Sequence, residues 1–137
     1  MIYNLVQYLR DSISETIYTN NVFKTGASLP QRYILVRETG SSIKPVSRFL
    51  IATIQVLTVD KSSPMARSLA YQVYDLIKEK FGEVLPSVTV GGETFNSVKT
   101  TQITAIQLPF DLGVNKETGL VEFTTNYTIY YSEVENG

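Results

Sequence analysis

The stretch FDLGVNKETGLVEF, residues 110–123, admits two readings that lead to different folds. Read as a loop between two helices, it sets Asp111, Asn115 and Glu122 at the first, fifth and twelfth places of an oxygen-rich calcium loop. Read as a hairpin, it joins two strands through NKETG. The calcium loop wants a small acidic or amide ligand at its third place and a glycine at its sixth, where the chain turns sharply. Gly113 and Lys116 stand there instead. The hairpin accounts for three further residues at once: Pro109 ends the preceding strand, Asn115 opens the turn, and Gly119 takes its left-handed position. Asn115 and Gly119 are therefore structural turn residues, and no metal ligand set is expected.

Working outward, the residues after this turn alternate. Phe123, Thr125, Tyr127, Ile129 and Tyr131 fall on one side of an extended chain, and Glu122, Thr124, Asn126, Thr128 and Tyr130 on the other, which is the pattern of a half-buried strand. Upstream, a strand is expected near Thr101–Leu108, and Gly91-Gly92 between SVTV and ETF reads as a tight hairpin. RFLIATIQVLTV, residues 48–59, is the strongest strand signal in the chain, and RYILVRE, residues 32–38, is the strand expected to pair with it. Between these two, TGSSIKPVS has the composition of a long hairpin tip. A short strand is also expected at Val22–Thr25, ended by Gly26.

Two helices complete the pattern. Ile2, Leu5, Val6, Leu9, Ile13 and Ile17 form an apolar stripe that predicts a helix over residues 2–17. A second helix is expected in SSPMARSLAYQVYDLIKEKFG, with Ser63 as its cap, Pro64 in its first turn and Gly82 stopping it. Its stripe is Ala66, Leu69, Ala70, Val73, Ile77 and Phe81. The order helix, strands, helix, strands, without an alternating strand-helix repeat, predicts a single α+β domain over residues 1–137: a mainly antiparallel sheet with both helices packed on one face.

Composition narrows the chemistry. The 137 residues are 43% apolar and 18% charged, with 12 basic and 13 acidic side chains and a formal net charge of −1. No block of one sign supplies the basic stripe of a nucleic-acid-binding face, and FLIA, the longest apolar run, is far too short to span a bilayer. No apolar leader follows a basic amino-terminal segment, so no signal peptide is expected. Cysteine and histidine are both absent, which removes disulfides, thiolate ligands, the usual general base and the usual zinc ligand. GASLP and VGGET lack the helix and lysine of a phosphate loop. Asp60 is placed to interact with the amino terminus of the second helix, and Glu38 with Asp60 is one conceivable carboxylate pair. No catalytic residue and no cofactor site are expected.

The ordered segments PQRYILVRETG, SRFLIATIQVLTVD, SPMARSLAYQVYDLI and LPFDLGVNKETGLVEFTTNYTIYY together resemble the small tail terminator and minor capsid (tail completion) proteins of long-tailed bacteriophages. The most similar parts are the strand running into SSPMARSLAYQVYDLI and the P-x-D-L-G-x-N-x-x-x-G turn before the last strand. The resemblance extends over nearly the whole chain. It implies a structural protein made in the host bacterial cytoplasm and carried in the virion, at the head-proximal end of the tail. Its implied partners are copies of itself in a ring, hexameric by the resemblance, the tail tube protein and the head-tail connector protein. Other head-tail joining proteins share this order of elements. A monomeric binding module and a carboxylate- or metal-dependent enzyme are the alternatives from other classes.

A partner contact is expected at the hairpin tip, Glu38 to Arg48. Ile43 is an isolated apolar residue in a polar loop, and Lys44 and Arg48 flank Pro45, which stiffens it. Ile43 either anchors a partner there or folds back on the domain's own core.

Overall fold

The computed structural model describes residues 1–20, 30–43 and 50–133, and for Ser42, Ile43 and Glu133 the backbone alone. One sheet organises the chain. Its long members are β2 (Tyr33–Ile43), β3 (Leu50–Asp60), β8 (Val98–Ala105) and β10 (Val121–Glu133); short members are β1 (Ile17–Thr19), β4 (Glu79–Phe81), β5 (Val84–Leu85) and β9 (Phe110–Val114). The strand order is β1-β2-β3-β10-β8-β4, with β5 also beside β8 and β9 also beside β10. All pairs are antiparallel except β1 with β2. A separate hairpin, β6 (Val88–Val90) with β7 (Glu93–Phe95), turns through Gly91-Gly92, both at positive φ.

The helices α1 (Ile2–Ser12) and α2 (Ser63–Ile77) pack on the same face. Leu5, Val6 and Leu9 of α1 and Leu69, Val73 and Ile77 of α2 meet Ile34, Val36, Ile54, Ile103, Tyr127 and Ile129 in one cluster. Alternation along each strand puts Tyr33, Leu35, Leu57 and Val59 on the opposite face, where they gather with Leu120. The architecture is thus α+β, a mainly antiparallel sheet with two helices on one face.

Several boundaries differ from the periodicity. The first helix stops at Ser12, and Ile13 is extended at φ −127°. Ile13 and Ile17 are still buried, because a four-residue spacing suits a helical stripe and an alternating strand alike, and pairing of Ile17 with Ile34 decides for the strand. The second helix is capped by Ser62, whose side chain accepts a hydrogen bond from the Met65 amide, not by Ser63. Nor does Gly82 end it. Lys78 leaves the helix directly into β4, whose ladder with β8 carries Phe81 away from the helical stripe and leaves it 65% exposed. Gly82, at φ 68°, turns the chain from β4 to β5 instead. Val98–Ala105 is the strand expected near Thr101–Leu108, but it stops at Ala105, four residues short of Pro109, so the proline does not end it. The strand expected at Val22–Thr25 lies outside the described residues.

Polar residues fasten the periphery. Asn4 is buried and its Nδ2 donates to the carbonyls of Pro86 (2.9 Å) and Asn96 (2.9 Å), tying α1 to the loops on either side of the small hairpin. Arg32 bridges Glu15 (2.8 Å) and Asp60 (2.7 Å). These bonds, to Glu15 first and Asp60 second, hold the Arg32 guanidinium still further above its ordinary pKa, so its charge is fixed. Asp60 is therefore an ion-pair partner that also accepts from the Lys61 amide (2.6 Å), which fixes the exit of β3 toward α2.

Candidate functional site

The segment on which the sequence reading turns is a hairpin. Val121 pairs with Val114 and Phe123 with Asp111, and the Asn115 side chain organises the turn by accepting from the amides of Glu117 (2.9 Å) and Thr118 (3.4 Å). The Gly119 amide donates to the Asn115 carbonyl (2.7 Å), with Gly119 at φ 74°. Asp111 shares a face with Phe123, and Glu122 lies on the other face with Gly113. The Asp111 carboxylate accepts from the Gly113 amide (2.7 Å) and the Ser63 hydroxyl (3.3 Å), while Glu122 accepts from the Asn115 amide group (3.3 Å). Two carboxylates on opposite faces cannot converge on one ion.

The other carboxylate pair is also apart. Glu38 stands opposite Ile54, and Asp60 ends the same strand six residues further on, roughly 20 Å away at strand rise. Among the described residues no group of three or more acidic, histidine or cysteine side chains is gathered closely enough to hold a metal ion. A cleft of about 180 Å³ opens between Asn4 and residues 94–98, and no titratable side chain lines it.

The expected hairpin tip is shorter than the sequence implied. β2 and β3 remain paired through Ile43 and Leu50, so Glu38–Ile43 is strand and not loop. A bulge between Glu38 and Gly40 absorbs one residue at Thr39 and lets the ladder continue through the Gly/Ser-rich stretch. Ile43 is thus placed at the end of β2. Lys44 and Arg48 lie outside the described residues.

A different surface stands out. Ile106, Leu108, Phe110, Leu112 and Val114 recur at every second residue along β9 and its approach, and all five are between 46% and 61% exposed. β3 occupies one side of β10 throughout Val121–Tyr131, so β9 must lie on the other, in line with β8. Its outer margin has no neighbouring strand among the described residues. Met65, 49% exposed, stands in the first turn of α2, the helix whose Ser63 touches β9. The bulge in β9 sets Val114 on the face of Val121 and Phe110 on the face of Thr124, so these apolar side chains line both faces of the sheet margin. No lysine lies within β9 to guard its edge. The period-two row was visible in AIQLPFDLGV, but alternation of this kind ordinarily signals a buried face. In β9 the bulge at Leu112 breaks that alternation, and the apolar residues divide between the two faces of a marginal strand.

No protein-family model matches the chain, and no curated protein matches it.

Proposed function

We propose that this chain is a structural assembly protein that forms a ring at the head-proximal end of a phage tail, ends polymerisation of the tail tube and joins the tail to the head connector. The observation that carries the reading is the exposed apolar row from Ile106 to Val114 on a sheet edge that has no neighbouring strand among the described residues. A chain of this size with such an edge has a strong drive to bury it against protein. The resemblance of the ordered segments to tail terminator and tail completion proteins supplies the partners: copies of itself, the tail tube protein and the connector protein. A ring needs a contact between two different patches whose rotation closes, and such a contact is a broad surface and not a motif.

Native mass spectrometry and electron microscopy of the purified chain, alone and with tail tube protein, test the proposal. Closed rings in at least one of the two settings, with tubes capped at one end and of limited length, are expected. A chain that stays monomeric in both settings overturns it. Rings that bind connector protein while leaving tube growth unaffected would reassign the chain to another head-tail joining role.

A further inference from the structure

Among the described residues the sheet has a second margin without a neighbouring strand. β1 covers β2 only at Ile34–Val36, and from Arg37 onward β2 has no neighbour on that side among the described residues. Glu38, Thr39, Gly40 and Ser41 are all exposed, so this length of strand is covered on neither face. We infer that the occupant of the β9 edge is a second copy of this chain, which presents the Arg37–Ser41 margin of its β2, so that one sheet runs on into the next around the ring. This rests on the ring reading and names its seam.

Two features favour a second copy over another occupant. First, the chain carries both halves of a heterologous contact on opposite margins of one sheet, β9 beyond β10 and β2 beyond β3, which is what head-to-tail association requires. An extended strand of some other protein could fill one margin but would leave the other open. Second, the margins differ in the sense needed for fit. β9 presents large side chains, and β2 presents Thr39, Gly40 and Ser41, over which large side chains can lie; a side chain's first carbon at Gly40 would meet nothing within 4 Å. Each margin holds a bulge, at Leu112 and at Thr39. Bulges increase local twist, and rotation from subunit to subunit is what distinguishes a closed ring from a flat stack.

The absence of cysteine makes the seam directly testable. Cysteines are introduced singly at Phe110, Leu112 and Val114, and singly at Glu38, Gly40 and Ser41, and the nine pairwise combinations are made as double variants. Each is oxidised at a concentration where native mass spectrometry shows the oligomer, on tail tubes if it forms only there. A disulfide needs Cα atoms about 4.4–6.8 Å apart, so at least one combination such as Leu112→Cys with Gly40→Cys should give a covalent ladder up to the ring size, while each single variant stays uncrosslinked. A single β9 variant that crosslinks to itself indicates a two-fold contact and overturns the inference. Rings by mass without a crosslink in any of the nine combinations also overturn it, and leave the ring proposal standing. A strictly monomeric chain in both settings removes the ring proposal and this seam together.

Discussion

Tyr127 heads the fully buried side chains by volume, and its hydroxyl has no hydrogen-bond partner among the described residues. Burial, which neighbouring Thr125 opposes, pushes its phenol above the ordinary value of 10.0. The raised pKa sets the sign of a pH dependence. Below about pH 10 the phenol is neutral in both folded and unfolded chains, and its stabilising burial is complete. As pH rises further the unfolded chain ionises first, and that stability is lost on the way to the higher folded value. Tyr127→Phe should therefore leave neutral-pH stability unchanged or raise it by up to about 1 kcal/mol, because an unsatisfied buried hydroxyl is removed. It should also lose less stability between about pH 9 and 11 than the parent. Denaturant titrations across that range give both quantities; a loss above about 1 kcal/mol at neutral pH would mean that the hydroxyl holds a bond through water.

The caps and boundaries of the elements show where one-dimensional patterns stop being informative. SSPM offers two serines, and either fits the preference for a hydroxyl before a helix. Ser62 caps, at φ −128° and ψ 152°, while Ser63 is already helical and reaches Asp111. Ser62→Ala should lower stability by about 1 kcal/mol and Ser63→Ala by no more than about 0.5 kcal/mol, measured by thermal or denaturant unfolding. Equal losses would show that the two serines share the cap. The central strands, the Gly91-Gly92 turn and the Asn115–Gly119 turn were legible because each rests on local chemistry: alternation, paired glycines, an amide side chain and positive φ. The ends of α1 and α2 were not, because Ile17 and Phe81 satisfy a helical spacing by chance and are claimed by strand partners far away in sequence, Ile34 and Gln102. Long-range pairing overrides a local stripe whenever the two periods coincide for a few residues.

At the scale of the whole molecule, the exposure of the apolar row was the least legible feature for the same reason. The apolar row from Ile106 to Val114 is written in the sequence, but its exposure follows from the strand order, which no local pattern reports. The isolated Ile43 pointed to the hairpin tip, of which Glu38–Ile43 is paired strand and residues 44–48 lie outside the described residues. The chemistry of the apolar row dictates how assembly should respond to solution conditions. A contact carried by charge weakens as salt shortens the Debye length from about 10 Å at 0.1 M to about 3 Å at 1 M. A contact carried by apolar burial does not; sulfate strengthens it and cooling weakens it. The formal net charge of −1 adds little long-range repulsion for salt to screen, and without histidine no side chain has an unperturbed pKa near neutrality. The ring fraction should accordingly vary less than about twofold between 0.1 and 1 M sodium chloride and between pH 6 and 8, rise with added sulfate and fall on cooling, followed by light scattering at fixed protein concentration. Rings that dissociate in sodium chloride would place the dominant contact on charged surfaces, with Lys44 and Arg48 the first positions to neutralise, and would leave the β9 edge for a partner other than a second copy.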